Sequence, residues 1–310
     1  MPELTSISSP PAVDHDRPHP RARLRNGWTW WHLGGILLFV FAAIVARWEA
    51  WQDICRIALR DEESSHILLV PLAVVWLIWV RRRRLRQCRP VPSMVGTILT
   101  ALGWVISSGG YRADHPGFWH AGSVLMVIGA FTTVAGRDLL LRFLPAAVVL
   151  GFLVPMPGTL RHTIAVPLQT WTAHVTQFLL EAGGSTVERH GNLLSINGNG
   201  VTIAEACNGM RMVFTLILVS YIFAFTTPLR GYVRALILIL SPLTAILCNV
   251  IRLVPTVWVY GYASPETANM FHDISGWVML VVAFLMLMSV VSVLRWAMIP
   301  VTEFRLAGEN

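Results

Sequence analysis

The amino-acid sequence predicts an all-α polytopic integral membrane protein with about eight transmembrane helices. Of its 310 residues, 55% are hydrophobic and only 13% are charged, and the mean hydropathy is +0.59. These values are typical of a multi-span membrane protein and lie outside the range of a soluble globular domain. The net charge of +7 comes from arginines in short clusters between apolar runs. This is the pattern of cytoplasmic membrane loops and argues against nucleic acid as a partner.

Eight apolar runs are candidates for membrane crossings. A helix needs about 20 apolar residues to cross roughly 30 Å of hydrocarbon, and charged residues, glycines or prolines bound each run. The runs are 28–48, 65–80, 92–109, 117–135, 138–156, 210–227, 234–260 and 275–299. They predict one transmembrane domain over 28–299, preceded by a basic, Pro-rich and disordered tail (1–27) and followed by a short tail (300–310).

The arginine clusters orient these spans, because basic loops of membrane proteins stay in the cytoplasm. The stretch "RPHPRARLR" precedes the first span and "RRRRLRQCR" follows the second, and the later clusters fall on the same side of an eight-span chain. Both termini are therefore predicted to be cytoplasmic. The acidic stretch "RDEESS", between spans one and two, falls on the extracytoplasmic side.

A long extramembrane segment is predicted on the extracytoplasmic side, over about 157–208. Its first part, "TLRHTIAVPLQTWTAHVTQFLLEAGG", has apolar residues at helical spacing, which favours an amphipathic helix on the membrane surface. Its second part, "HGNLLSINGNGVTIAEA", predicts a β-hairpin around an Asn-Gly turn, either Asn197-Gly198 or Asn199-Gly200. The hairpin leads the chain into span six from the outside.

Cys207 lies next to the predicted start of span six. Thiolate is the nucleophilic form of cysteine, and the unpaired N–H groups and the dipole at a helix N-terminus favour it. Asn208 is a common N-cap residue, Gly209 permits close backbone approach, and Arg211 adds a positive charge on the same helical face. A single cysteine in an apolar protein is more often a small buried hydrophobe. The local pattern therefore leaves both interpretations open.

Two ionisable residues from other spans are predicted at the same membrane face as Cys207. A rise of 1.5 Å per residue puts Arg252 roughly 27 Å beyond Arg234, near the outer end of span seven. His272 lies at the outer start of span eight, and a histidine can exchange protons near neutral pH. Taken singly, Arg252 can snorkel to lipid head groups and His272 can be an interfacial residue. Their shared depth with the cysteine favours a joint site.

These residues and their surroundings resemble the exosortase/archaeosortase family of membrane transpeptidases. The resemblance runs from about Trp48 to Trp296. It includes the stretches "SSHILLVPL", "FLVPMP", "PLQTWTAHVTQFLLEAGG", "GNLLSINGNGVTIAEACNGMR", "NVIRLVP" and "HDISGW". The family's active cysteine lies in a motif like Ala-Cys-Ser-Gly, its arginine in Asn-x-x-Arg, and its histidine shortly before a glycine. These match Cys207, Arg252 and His272.

The resemblance implies a cysteine peptidase or transpeptidase at the periplasmic face of a bacterial inner membrane. Its substrates would be exported proteins with a C-terminal sorting signal, which consists of a short motif such as Pro-Glu-Pro, a hydrophobic helix and a basic tail. Cys207 would be the nucleophile that forms a thioester acyl-enzyme, and His272 the acid and base. Arg252 would stabilise the oxyanion or orient the substrate carbonyl. Asn208 stands where most family members have serine, and both residues can cap a helix.

Six further residues are candidates for binding the substrate or supporting the site. They are Glu205, Asn208, Arg211, Asn249, His66 and Asp273. Those beside the cysteine can instead cap and anchor span six, and His66 can be a simple interfacial residue. Asn249 precedes Arg252 by three residues and shares its helical face, whereas Asp273 is adjacent to His272, and adjacent helical residues do not face each other.

Two other function classes fit parts of the pattern. A transporter or lipid-handling protein would use Arg252 to bind an anionic head group, but it would also have internal repeats and polar residues near the bilayer midplane, and the sequence shows neither clearly. A membrane protein of exopolysaccharide assembly without peptidase activity would tolerate loss of the thiol. No metal or organic cofactor is expected, because the four cysteines have no Cys-x-x-Cys spacing and the chain has no His-Glu-x-x-His motif.

Overall fold

The structure, a computed structural model, is helical over most of its length. It describes residues 28–85, 88–202, 209–296 and Thr302. The predicted tail over 1–27 lies outside the described residues, as does all of the predicted tail over 300–310 except Thr302.

Helices make up nearly all of the described chain, and one small sheet interrupts them. The α-helices are α1 (Trp30–Ala46), α2 (Trp48–Arg60), α3 (Val70–Val80), α4 (Arg82–Leu85), α5 (Met94–Arg112), α6 (Pro116–Ala135), α7 (Arg137–Arg142), α8 (Leu144–Val149), α9 (Gly158–Ala182), α10 (Gly209–Thr226), α11 (Gly231–Tyr262) and α12 (Pro265–Trp296). Short 3₁₀ helices cover Glu62–Leu69 and Leu150–Leu153, and the strands are β1 (Glu188–His190), β2 (Leu193–Ile196) and β3 (Asn199–Thr202).

Several of these helices can cross a membrane, so the chain is a multi-pass membrane protein. Within the described ranges, five helical stretches are long and apolar enough, and a bent pair of helices raises the number to six. The five are Glu63–Val80, Met94–Arg112, Pro116–Ala135, Gly231–Tyr262 and Pro265–Leu294, and the bent pair is α1 with α2. Two shorter apolar stretches, Leu144–Leu153 and Met210–Thr226, coincide with predicted spans five and six. The predicted count of eight crossings depends on these shorter stretches.

Large apolar side chains cover the outer faces of the helices. Leu37 of α1 is 70% exposed and Leu72 of α3 is 69% exposed. Val281 and Leu285, one turn apart on α12, are also exposed. Contiguous apolar surface of this kind marks contact with a lipid bilayer or with another protein.

The chain between predicted spans one and two folds into an amphipathic helix, which the sequence analysis did not predict. α1 ends at Ala46, and the chain then bends by 80° into α2. Ala50, Ile54 and Ala58 are buried at four-residue spacing along α2, and its other faces carry charged side chains. A search for uniformly apolar runs misses such a helix, because only one of its faces is apolar.

Predicted span five, over 138–156, is broken into short pieces. α7 ends at Arg142, and α8 begins at Leu144. Pro145 lies in the first turn of α8, where its missing N–H is tolerated, so it favours a new helix start at this point. The apolar piece Leu144–Leu153 is only 10 residues long, shorter than the roughly 20 needed to cross 30 Å of hydrocarbon.

Predicted span seven is one continuous helix, although it contains Pro242 and Pro255. Both prolines lie inside α11. The hydroxyl of Ser241 donates a hydrogen bond to the carbonyl of Leu238, at 3.0 Å. That carbonyl would otherwise accept from the amide that Pro242 lacks. Neighbouring polar groups of this kind allow membrane helices to continue through proline.

Glycines at seven-residue spacing bring α5 and α6 into backbone contact. A Cβ atom added at Gly103 of α5 would lie 2.5 Å from the backbone nitrogen of Met126, and one added at Gly122 of α6 would lie 2.3 Å from that of Ser107. The close approach lets the hydroxyls of Ser107 and Ser123 hydrogen-bond between the helices, at 3.0 Å. Small residues at an interface are the usual means by which helices associate in lipid.

A three-stranded antiparallel sheet in the order β1-β2-β3 follows α9. Ile196 pairs with Asn199 across a two-residue turn, in which Asn197 has a φ of 53° and Gly198 a φ of 79°. Positive φ at both positions is the signature of a type I′ hairpin turn. The chain therefore turns at the first of its two Asn-Gly pairs. Strand β1 was not predicted.

The sheet packs against the last third of α11. Leu194 and Ile196 form one buried cluster with Leu253 and Val257 of α11. The side-chain amide of Asn197 donates to the carbonyl of Gly261, at 3.2 Å. The sheet is thereby fixed beside residue 252 of α11.

We expect Gly103→Ala to destabilise the protein and Gly109→Ala, on the same helix, to leave its stability unchanged or raised. Both substitutions gain helix propensity of roughly 1 kcal/mol, but the Cβ at 103 would overlap the backbone of α6, whereas the Cβ at 109 meets nothing within 4 Å. Overpacking of this kind costs about 1 to 3 kcal/mol. Thermal unfolding of the two purified variants in detergent measures the difference. Equal melting temperatures would contradict the close packing of α5 on α6.

Candidate functional site

A cavity of about 350 Å³ lies where four membrane segments meet. The first halves of Glu63–Val80, α10 and α12 meet the last third of α11 there. Its polar lining includes His66, Arg211 and Arg252. In neighbouring antiparallel helices, the N-terminal part of one helix lies beside the C-terminal part of the next. Residues from distant parts of the sequence therefore line one cavity. We call it the arginine cavity.

Arg252 of α11 is buried inside the helix bundle. Its side chain is only 5% exposed, so it does not extend to the protein surface as a snorkelling arginine would. Its Nη2 donates to Oδ1 of Asn249, one turn earlier, at 3.4 Å. Asn249 is also buried. An ionisable group inside a membrane bundle costs several kcal/mol unless its surroundings compensate, which marks such a residue as a functional candidate.

The guanidinium groups of Arg211 and Arg252 meet at Gly276 of α12. A Cβ atom added at Gly276 would lie 3.0 Å from Nη1 of Arg252 and 3.9 Å from Nη2 of Arg211. Two guanidinium groups this close together interact strongly with each other and with nearby charges, because apolar surroundings screen charge weakly. The charged groups among the described lining residues are both cationic.

Sequence analysis did not single out Gly276 as a functional position. A glycine inside a helix costs roughly 1 kcal/mol relative to alanine, so its presence in the helical stretch "HDISGWVML" was a signal. The structure supplies the reason, since any side chain at 276 would displace the guanidinium of Arg252.

The two candidate histidines come from different helices, and of the two only His66 is among the residues that line the arginine cavity. His272 is half-buried, lies one turn before Gly276 on the same face of α12, and accepts a hydrogen bond at its carbonyl from Ser275. His66 is buried and stacks on the ring of Phe214 of α10, with centroids 5.1 Å apart and planes 16° apart. Nδ1 of His66 lies 3.2 Å from the carbonyl oxygen of Glu63.

The structure thus brings together several of the residues that the sequence singled out and leaves others aside. His66, Arg211 and Arg252 line one cavity, and Asn249 contacts Arg252. Asp273 is exposed on α12. The remaining candidates, Glu205, Cys207 and Asn208, lie outside the described residues. Within the described ranges, no three His, Cys, Asp or Glu side chains form a group that could hold a metal ion.

Comparison with known proteins identifies the family. The model of one family, the transmembrane exosortases, matches residues 48–289. No curated protein and no solved structure matches the chain. The matched region covers most of the 310 residues. It contains the residues that line the arginine cavity, from His66 near its N-terminal end to Gly276 near its C-terminal end. The chain therefore belongs to the transmembrane exosortase family.

Proposed function

We propose that this protein is a cysteine protease or transpeptidase that cleaves the C-terminal sorting signals of exported proteins at the periplasmic face of a bacterial inner membrane. Membership of the exosortase family suggests a membrane transpeptidase or protease. One observation carries the proposal for this chain: the arginine cavity lies at the beginning of α10, and Cys207 precedes α10 by two residues.

Both ends of the segment that contains Cys207 are attached close to Arg252. On one side, the sheet that ends at Thr202 packs on α11 through Leu253 and Val257. On the other side, Arg211 in the first turn of α10 lines the same cavity as Arg252. Covalent geometry alone keeps the Cα atom of Cys207 within about 7 Å of that of the first residue of α10. These constraints support a joint site.

The proposed reaction uses Cys207, His272 of α12 and Arg252 of α11. His272 accepts the proton of the Cys207 thiol, the resulting thiolate attacks the scissile carbonyl carbon, and His272 then gives the proton to the leaving amine as the C–N bond breaks. Arg252, held by Asn249, stabilises the negative charge that develops on the carbonyl oxygen, and Arg211 adds to the positive potential. The product is a thioester between Cys207 and the exported protein, which water or an amine then releases.

The surface beside the cavity suits a substrate that is itself anchored in the membrane. Trp277 lines the cavity and is 76% exposed, so the cavity reaches the outer face of α12. The neighbouring outer surface of α12 is apolar, with Val281 and Leu285 exposed. A sorting signal with its own hydrophobic helix can pack along this surface and present the residues before that helix to the cavity. Glu205, Asn208 and Asp273 are proposed to contact the signal or support the catalytic residues.

The proposed topology has eight crossings with both termini in the cytoplasm. It combines the six candidate crossings with the two shorter apolar stretches of spans five and six. In this arrangement the transmembrane domain covers 28–299, the tails over 1–27 and 300–310 are cytoplasmic, and the sheet and the arginine cavity lie at the extracytoplasmic face. The basic helix α4, "RRRL", then faces the cytoplasm, as basic segments do.

We expect Cys207→Ala, Arg252→Ala and His272→Ala each to abolish processing of a co-expressed, tagged protein with a C-terminal sorting signal. Each substitution removes a group that contacts the reacting atoms, and such losses cost on the order of 100-fold or more. Loss of the cleaved form on a gel measures the effect, with Cys55→Ala, an exposed cysteine on α2, as the matched control. Processing that persists in Cys207→Ala would contradict the cysteine mechanism. It would favour a role in exopolysaccharide assembly or in lipid or anion transport.

Gly276→Ala should slow processing although it removes no functional group. The new Cβ atom would press on Nη1 of Arg252 and displace it by a few tenths of an ångström. Misplacement of a catalytic group costs about tenfold or more in rate. The rate of processing in a time course, compared with that of Gly109→Ala, measures the effect. If both glycine variants process at the wild-type rate, the guanidinium of Arg252 needs no such placement.

The topology can be tested with the natural cysteines. Cys55 is exposed on α2 and can be reached by a labelling reagent. Cys88 is buried, and burial raises the pKa of its thiol, so Cys88 is a poor target for the reagent. In a variant that retains Cys55 alone, we expect a membrane-impermeant maleimide to label intact spheroplasts. A variant whose single cysteine is Arg83→Cys, on α4, should label only after permeabilisation. The opposite pattern would invert the proposed orientation.

A further inference from the structure

A second cavity of about 350 Å³ lies on the other side of His66. His66 lines both cavities. The second cavity has a polar end with Glu63 and Arg161 and an apolar wall that includes Phe152 and Phe214. We call it the carboxylate cavity. A water molecule takes up about 30 Å³ of liquid, so this space is far larger than one attacking water requires.

The two cavities have opposite electrostatic character. Nη1 of Arg161, a lining residue of the carboxylate cavity, lies 3.0 Å from Oε2 of Glu63, which also lines it, and 3.0 Å from Oδ2 of Asp61, which is not itself a lining residue. One guanidinium therefore serves two carboxylates, which leaves an excess of one negative charge. Among the described residues that line the arginine cavity, the formally charged ones are Arg211 and Arg252. A cation is favoured on one side of His66 and an anion on the other.

The imidazole of His66 lines both cavities, and its hydrogen bond shows which ring nitrogen can accept a proton. A carbonyl oxygen only accepts hydrogen bonds, so the contact of Nδ1 with the carbonyl of Glu63 requires that Nδ1 carries the proton. In the neutral ring, the lone pair is then on Nε2, and no described residue hydrogen-bonds to this atom. Stacking on Phe214 fixes the plane of the ring.

We infer that the carboxylate cavity binds the acyl acceptor, that the acceptor is a primary amine, and that His66 is the base that deprotonates it. The carboxylate of Glu63 attracts the ammonium form, the carboxylate of Asp61 offsets the charge of Arg161, and Phe152 and Phe214 accommodate an apolar part of the acceptor. This inference rests on the proposed function, because it assigns the second half of the same reaction. His272 then serves the leaving group, and His66 serves the incoming one.

The proposed transfer step balances in atoms and charge. The ammonium loses one proton to Nε2 of His66, and the free amine attacks the thioester carbonyl carbon. A C–N bond forms and the C–S bond to Cys207 breaks, so the sulfur leaves as thiolate. The second proton on the attacking nitrogen passes to this thiolate, which leaves a neutral amide product and a thiol.

The test measures how the acyl-enzyme is partitioned between an amide product and a free acid. The full-length protein is reconstituted in phosphatidylcholine vesicles with a peptide that carries a Pro-Glu-Pro motif, a hydrophobic helix and a basic tail. One arm adds soluble glycinamide, and a second replaces part of the lipid with phosphatidylethanolamine, so that mass spectrometry distinguishes a soluble from a lipid acceptor. We expect the amide to be the main product in at least one arm. Free acid as the main product in both arms would overturn the inference.

Two variants connect the partition to the carboxylate cavity. For the preferred amine, Glu63→Gln and His66→Gln should each lower the ratio of amide to free acid by about tenfold or more. The control is Glu49→Gln, an exposed carboxylate on α2, which should keep the wild-type ratio. The ratio of amide to free acid is calculated per molecule of C-terminal tail that cleavage of the peptide releases. It therefore does not depend on the rate at which the acyl-enzyme forms. A ratio within twofold of wild type in either variant would overturn the inference.

Hydroxylamine separates the proposed role of Glu63 from a structural one. It is uncharged at neutral pH and needs neither a carboxylate nor deprotonation before attack. Glu63→Gln should therefore retain the wild-type ratio with hydroxylamine, and an equal loss with both acceptors would overturn the role. The two proposals also fail differently. If the wild-type protein releases no tail, the proposed function fails, whereas tail release without amide overturns only the acceptor site.

Discussion

Two guanidinium groups lie close together inside an apolar helix bundle, and the neighbouring residues have to accommodate their charge. Arg252 and Arg211 approach the same point on α12, where Gly276 has no side chain to press on Nη1 of Arg252. Charges in such surroundings interact strongly and are costly to bury, so their placement has to be compensated by neighbouring groups. Asn249 contacts one of them, and the sheet closes over the end of the helix that carries it. The two positive charges suit a site that stabilises an oxyanion.

The membrane helices pack in two different ways. α5 and α6 lie backbone to backbone along a row of glycines and contribute no lining residue to the arginine cavity. The segments that line the cavity are packed through larger side chains, such as Ile67, Leu218 and Leu253. Two of the proposed catalytic residues, Arg252 and His272, come from helices of the second group.

The sequence predicted the membrane class, most spans and the family, because uniform apolar runs, clustered arginines and short motifs are local signals. The family match confirms the resemblance. The sequence did not predict α2, because the apolar residues of α2 recur only at four-residue spacing. It also did not predict the break at Pro145, which depends on packing. The joint position of Arg211, Arg252 and His66 followed partly from topology. The role of Gly276 did not, because a close approach between atoms of different helices leaves no pattern along the chain.

The hairpin turn at Asn197 and Gly198 has a consequence for the cysteine beyond the sheet. The chain offers a second Asn-Gly pair two residues later, and a turn there would shift the register of β3 by four residues. Leu193, which now lies opposite Thr202, would then lie opposite Ala206. That shift corresponds to about 13 Å of strand, and it would draw Cys207 into the ladder. The position of the turn, at the first of two identical Asn-Gly pairs, therefore determines how many residues lie between the sheet and α10. Cys207 is one of those residues.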